Sequence, residues 1–401
     1  MKLRSPESFW LLKNGIMNSY PSLQKDLSCD IVVLGSGITG ALISHTLHNA
    51  GFNTVLIDKR DVGTGSTSAT TSMLQYEIDT PLVDLAGMIG EAEAVECYRE
   101  GIKSIDILHK LIKKENIDCG FELKKSLQVA HSEKAVEKLE REYELRKRYG
   151  FDVEWLTSKE IERKYKMKSQ PGILSANGAS IDAFQFAHGL INKNWKRGMP
   201  VYDQTEIKKI NYGKNKVEIQ TKMGFTVTCK KIVFCAGFET LSMFKKKYAD
   251  IVTTFATVSE QNINIYPQLK DTLIWDTDNP YIYMRTTDDK RLLVGGEDIK
   301  YEYNALTDKL KDSKAETLID KLYKLFPSIQ FLQDYNWAGA FGVTKDGLPY
   351  IGEHPDFKNA VFVLGLGGNG ITFSVQGMHL VLKILAKQDD PLLHYYRFDR
   401  F

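Results

Sequence analysis

The chain has 401 residues, 43% of them hydrophobic, enough apolar mass for two closely joined domains. Lysine and arginine (53) nearly balance aspartate and glutamate (51), so the net charge of +2 gives no preference for nucleic acid or a membrane surface. Five scattered cysteines (29, 97, 119, 229 and 235) form no C-x-x-C pair and no metal-ligand spacing, which predicts reduced thiols, no metal site and a cytoplasmic location; no stretch reaches the length of a membrane span.

Residues 1–27 carry Trp10, Leu11 and Leu12 but no sustained apolar run; they read as a leader packed on the surface, not as a signal peptide. The stretch 29–58 is the one around which the remaining elements are organised. Residues 31–34 form an apolar run expected as a buried parallel strand, and Gly35, Gly37 and Gly40 then make G-x-G-x-x-G. Ile43, Leu47 and Ala50 share one helix face, Gly51 ends the helix, and a second apolar strand leads from Thr54 to Asp58. A dinucleotide needs these features: a tight turn, room for the backbone to approach a pyrophosphate, close helix–strand packing, and a helix N-terminus with its positive dipole end on the phosphates. Asp58 is placed for the ribose hydroxyls of an adenosine. This unit alone does not separate FAD from NAD.

The small residues 63–72 and the Met73-Leu74-Gln75-Tyr76 stretch read as a segment laid against a ligand rather than a free loop, because they come directly after the second strand. Residues 81 to about 115 are helical, 124–130 a strand, and 133–148 a helix whose mixed charges predict a solvated face with Val136, Leu139 and Tyr143 as its apolar stripe. Residues 172–181 read as a loop before Asp182, which can cap a helix reaching about Trp195. Short strands near 199–203, 206–211, 215–221 and 225–229 precede the apolar strand 231–235, which opens onto Ala236-Gly237. Residues 250–300 are rich in β-formers; Tyr281, Tyr283 and Arg285 alternate onto one face, either a half-exposed sheet face or a pocket wall, and 292–296 is the next strand of a hairpin. The glycine- and aromatic-rich stretch 337–352, a strand at 361–364, the loop 365–370 and a helix over 371–385 repeat the order strand, glycine loop, helix, so a second helix N-terminus points at an anionic or electron-rich group.

Four segments, in this order over about residues 30–385, resemble the D-amino-acid oxidase family of FAD-dependent oxidoreductases in its glycine oxidase and sarcosine oxidase branch. They are the βαβ unit, the Ser/Thr loop after it, the strand ending Cys235-Ala236-Gly237, and the block from Asp346-Gly347-Leu348-Pro349 to Gly368-Asn369-Gly370-Ile371. The resemblance implies non-covalent FAD and an α/β (α+β, two-domain) fold. A Rossmann-type FAD-binding domain would be assembled from 1–80, 155–245 and 335–401, with an inserted mixed-sheet substrate domain from 81–154 and 246–334. It also implies that Ile38, Thr39 and Lys59 join Gly35, Gly37, Gly40 and Asp58 in binding FAD, and that Ser66, Thr67 and Ser68 touch the pyrophosphate. Met73 and Leu74 would lie near the isoalloxazine, Ile207 would meet the adenine through its backbone, and Ala236, Gly237 and Gly339 would line the pocket. Gly368, Asn369, Gly370, Ile371 and Thr372 would bring the C-terminal helix to flavin O2, where negative charge develops on reduction.

The implied activity is oxidation of an amine or amino acid by hydride transfer from the C–H beside nitrogen to flavin N5, the imine then being hydrolysed; demethylation of an N-methyl amine and a non-catalytic flavin-binding sensor or scaffold are the alternatives. The implied partners are that small molecule and an electron acceptor (oxygen, a quinone or a protein). None of the eight histidines forms an acid/base constellation; His45 and His48 fall on the Rossmann helix as structural residues. Three positions depart from the family. Phe341 stands where a carboxylate-gripping arginine is expected, so either the substrate has no carboxylate beside its amine or Arg285 replaces that cation, with Tyr281 and Tyr283 as walls; a plain pairing of Arg285 with Asp288 is the alternative. Gly339 replaces a flavin-linking cysteine, and Leu293 stands where some family oxidases place a lysine for oxygen activation, which implies slow reaction with oxygen.

Overall fold

In a computed structural model, residues 2–261, 267–301, 307–365 and 367–401 are described, and they form two sheets with helices between and around them. The first sheet is built outward from Leu27–Leu34. That strand pairs in parallel with Thr54–Ile57 on one side and Thr226–Phe234 on the other, and Val201–Tyr202 and Ala360–Leu364 extend the parallel order. Tyr350–Glu353 closes one edge antiparallel, and the hairpin Ile207–Tyr212/Val217–Thr221 hangs from Thr226–Phe234. Each central strand is apolar on both faces (Val32, Val33, Leu56, Ile57, Ile232 and Val233 are fully or almost fully buried), as a parallel sheet covered on both sides requires. The helices Ile38–Asn49, Ala183–Lys196 and Gly370–Ala386 cover one of those faces.

The second sheet is mixed, ordered Gln333–Val343, Asp250–Ser259, Leu292–Lys300, Ile282–Thr286, Thr272–Asp276, Glu122–Val129, Gly172–Ser180 and Met73–Gln75, with Val153–Leu156 beside Gly172–Ser180. The helix Asp308–Leu325 packs on one face through Leu318 and Leu322. The α/β class and the Rossmann-type sheet with a second mixed sheet are as expected.

Several local expectations are corrected. The 172–181 stretch is a strand, not a loop: its Gly, Ser, Ala and Asn residues have little intrinsic strand preference, and pairing with Glu122–Val129, Met73–Gln75 and Val153–Leu156 imposes the conformation. This strand, Met73–Gln75 and Gln333–Val343 all belong to the second sheet, so the expected boundaries at 80, 155 and 335 cut through that sheet. Strands expected at 225–229 and 231–235 are one, Thr226–Phe234, and the helix over 81–115 is two, broken at Gly90, whose φ of 105° leaves the helical region. The charge-dense helix Glu133–Arg148 is solvated on one side only. Its Glu142 is buried, accepts from Leu82 N and Val83 N (2.9 Å each) at the start of the helix Leu82–Ile89, and pairs with buried Arg146 at 2.6 Å.

The largest correction concerns residues 1–27, which are not a surface leader. Phe9 and Trp10, in the short helix Phe9–Asn14, are buried with Ala69, Phe184, Val258, Leu293 and Trp337; Phe9 stacks on Trp337 at 5.7 Å, and Ser5 N donates to Ala338 O. The part through Trp10 is a layer of the core laid along the second sheet, whereas Leu12 and Ile16 are exposed and Tyr20 N and Leu23 N donate to Asp203 and Thr205.

Candidate active site

A cavity of about 1100 Å³ runs from the glycine turn of the first sheet to the face of the second. At its first end Gly35 opens the turn with φ 108°, and a Cβ there would stand 2.7 Å from Cys235 O on the neighbouring strand. A Cβ on Gly37 would meet Thr67 Oγ1 at 2.9 Å, in the space where Ile38 N donates to that oxygen at 3.0 Å. Asp58 is fixed at its strand end by Ser36 N (2.6 Å), Ser36 Oγ (2.8 Å) and Arg60 N (2.9 Å), while Lys59 and Arg60 are both held by Glu239. The helix Ile38–Asn49 carries no side-chain cap, and its first residues line the cavity. Ile38 N is given to Thr67, and the N–H groups that follow it in the first turn, with the positive end of the helix dipole, suit a pyrophosphate.

A second uncapped helix, Gly370–Ala386, begins at the same cavity through Gly370 and Ile371. Asn369, just before it, is tied to the second sheet by donating to Gln75 O (3.1 Å) and Glu77 O (2.8 Å), so the glycine loop and the Met73–Gln75 strand form one frame. Between the two helix starts lie Ser66, Met73, Ala236, Gly237, Gly339, Phe341 and Gly368. Beyond them the wall is Tyr281, Tyr283, Trp275, Thr254, Asp79 and Asp298. The Tyr281 and Tyr283 rings are 5.5 Å apart, and burial pushes the Tyr283 hydroxyl up to about 12, so it is a neutral donor at ordinary pH.

Not every expected site residue reaches the cavity. Gly40 serves packing, since a Cβ there would stand 1.7 Å from Gly35 O. Ser68 donates to Gly65 O and shapes its own loop, and Thr372 donates to Asn369 O inside its helix. Leu74 points to the opposite side of its strand, into the helical core, and Ile207 packs in the cluster on the far face of the first sheet. None of these five lines the cavity, and neither does Arg285. That guanidinium is buried, donates to Ser72 O (3.2 Å) and Ile181 O (3.1 Å), and lies 5.4 Å over the Trp10 ring, with burial pulling it down to about 10. It is not paired with Asp288 either, which Lys13 holds at 2.6 Å. Leu293 is fully buried against Trp10 and Trp337, away from the cavity.

Among the acids that line the cavity and were missed in the sequence, Asp79 and Asp298 lie beside Tyr281. A β-bulge aims Asp298: Phe255 pairs with Gly296 but Thr253 with Ile299, so Glu297 and Asp298 together oppose Thr254, and Gly296 (φ 135°) and Glu297 (φ 58°) absorb the turn. The glycine pair inside a strand was the available signal.

A glycine turn under a parallel sheet, with two helix starts on one cavity roofed by a second sheet, is the architecture of a dinucleotide-binding protein. Residues 30–381 match the family described as FAD-dependent oxidoreductase (DAO), and the chain belongs to that family; its cofactor is FAD. It is similar to a Bacillus subtilis protein, YhfW, whose name provisionally describes a Rieske 2Fe-2S iron–sulfur protein (24% identity over 405 residues, 99% of this chain and 76% of that one). It is also similar to gamma-glutamylputrescine oxidoreductase of Escherichia coli (25% over 401 residues, 95% and 88%). Among solved structures, glycine oxidase from Geobacillus kaustophilus superposes with a TM-score of 0.76 at 21% identity, covering 90% of this chain and 96% of that one. Among the described residues no helix is long and apolar enough to cross a membrane.

Proposed function

We propose that the protein oxidises a small amine or amino acid at the carbon bearing nitrogen, with FAD bound non-covalently. The observation that carries this reading is that one cavity joins two helix N-termini to an aromatic and acidic wall. Family membership and the names of the amine- and glycine-oxidising relatives support it. The first sheet and its helices serve as the FAD-binding layer, and the second sheet is the roof under which substrate binds.

FAD, when bound, supplies a hydride acceptor at N5, and the imine left behind hydrolyses in water. The chain's own residues do the rest. Gly37, Ser66 and Thr67 leave room for a pyrophosphate and present donors to it. The start of the helix Gly370–Ala386 offers preorganised N–H groups where negative charge develops. Tyr281, Tyr283 and Trp275 wall the substrate side and restrict water there. Gly339 leaves no thiol at the position of flavin attachment, and the nearest cavity thiol, Cys235, is pushed up by burial and lies at the glycine-turn end. The resemblance, with leucine at position 293, favours a quinone or a protein over oxygen as the acceptor; the Leu293 side chain itself lies under Trp10, outside the cavity, and adds nothing to that reading. A cytoplasmic location rests on the five cysteines being scattered, with no disulfide-framework spacing in the sequence.

The protein should purify yellow and release intact FAD on acid denaturation, and anaerobic addition of a panel of amines and amino acids should bleach the flavin with at least one of them. A flavin that dithionite reduces but no compound in the panel reduces would leave a binding scaffold instead of an enzyme.

A further inference from the structure

Acids crowd the wall around Tyr281 and Tyr283: Asp79 and Asp298 line the cavity there, with Asp276 and Asp278 beside Trp275, while the lysines that also line it, Lys134, Lys138 and Lys300, are exposed. The Asp298 Oδ1 is buried with no hydrogen-bond partner among the described residues. The Tyr281 hydroxyl and Thr254 lie beside the same carboxylate. Asp79 lines the same space, its Oδ2 taking Gly368 N at 2.7 Å. Lys138 is held by Asp84, and among the described residues no buried cation lines the cavity. Arg285 is spent on two carbonyls behind the wall, Arg146 on Glu142 and Glu77, and Lys59 and Arg60 on Glu239 at the opposite end. Lys300, two residues past Asp298, is exposed and forms no ion pair with it among the described residues. A substrate carboxylate entering here would lose its hydration and meet two acids; an ammonium would satisfy the orphaned oxygen.

We propose that Asp298 selects the substrate by accepting a hydrogen bond from the ammonium group of an alkylamine that has no carboxylate on the carbon bearing nitrogen, with the Tyr281 and Tyr283 rings packed against its apolar part. This rests on the amine-oxidising reading above and narrows it. The bulge at Gly296 and Glu297 is then a device that turns one acid out of the sheet ladder and into the cavity. Gly295 has its own part: a Cβ there would stand 2.4 Å from the Tyr283 ring, so its absence lets the ring lie flat across the strand. Aromatic faces beside an acid are favourable walls for an alkylammonium.

The test is equilibrium binding to the oxidised holoprotein, read as a shift in the flavin absorbance. The probes are tert-butylammonium, which has no C–H on its nitrogen-bearing carbon and cannot be oxidised there, and pivalate, its carboxylate counterpart of like shape. The cation should bind and pivalate should not. Asp298→Asn, with flavin content unchanged, should weaken the cation by roughly tenfold or more, and Asp298→Glu should recover part of the loss. In the unmutated protein the affinity should fall as pH drops below about 6, where burial places the Asp298 carboxyl. The other groups facing it would not mimic that profile: Tyr281 and Tyr283 titrate far higher, and Glu297 is lowered and held by Lys314 and Lys321. Asp79, raised by burial, adds to the same trend, which is why the Asp298 variants are needed. Tighter binding of pivalate than of the cation, or unchanged cation affinity in Asp298→Asn, would overturn the proposal. A flavin that no amine or amino acid reduces would instead refute the amine-oxidising reading, whatever these affinities are.

Discussion

Arg285 and Asp298 show how far one residue's role depends on what packs around it. Arg285 is on the sheet face that its alternation with Tyr281 and Tyr283 predicts, but Trp10 covers it, and its hydrogen bonds go to main-chain carbonyls. Arg285→Leu should therefore lower stability by about 3 kcal/mol, from lost charge-assisted bonds and two orphaned carbonyls, and leave KM for any substrate nearly unchanged. Urea unfolding beside steady-state kinetics separates the two effects; a raised KM without a stability loss would return Arg285 to the substrate site. Asp298 has the opposite economy. Its carboxyl is raised to about 6 by burial, then by the nearby acids Asp79 and Glu297, against the lowering effect of Thr254 and Tyr281. A raised acid binds its proton more tightly folded than unfolded. Its cost to stability is thus fully present above about pH 6, shrinks as pH falls, and is gone below the unfolded value near 3.8. Asp298→Asn should accordingly stabilise the ligand-free protein by on the order of 1–3 kcal/mol at pH 7.5 and by nothing near pH 3.5, measured by denaturant unfolding at the two pH values. Equal effects at both would show that the acid is not strained.

The elements proposed to hold the cofactor were legible because their signals are local. In Leu27–Leu34, Ile38–Asn49 and Thr54–Ile57 the apolar runs, the glycine spacing and the terminal acid all occur within about thirty residues. Gly37→Val should abolish FAD retention, because the added side chain enters the space between the turn and Thr67, while circular dichroism of the apoprotein stays close to that of the parent. A yellow Gly37→Val protein would show that the pyrophosphate lies elsewhere. Gly172–Ser180 was illegible for the converse reason: its residues prefer turns, and three neighbours distant in sequence make it a strand. The bulge before Asp298 was half legible. The Gly295-Gly296 pair marks an irregularity, but which side chain it turns inward depends on the register with Asp250–Ser259, which no single segment carries.

Over the whole molecule, the cavity exists because two sheets meet there and a segment from the N-terminal end seals one side. Residues 1–27 have no motif and no periodicity, so nothing local distinguished a buried layer from a surface leader; the difference lies in the long-range contacts of Phe9 and Trp10. Trp10→Ala should cost about 3–5 kcal/mol, as large core truncations do, and should also expose the Arg285 guanidinium. Retained stability in calorimetry would return the segment to the surface. Three of the four segments behind the family resemblance converge on the cavity from the first sheet and its helices, and the facing wall comes from the second, where strand alternation pointed to Tyr281 and Tyr283 but nothing local pointed to Asp79 or Asp298. The central claim is that a C–H beside an amine nitrogen gives its hydride to FAD in this cavity. The most direct test is anaerobic stopped-flow bleaching of the holoprotein by a reactive amine, with deuterium on the nitrogen-bearing carbon or on the next carbon. Bleaching markedly slowed by the first substitution and unchanged by the second is the predicted result. Equal rates with all three amines would contradict the account.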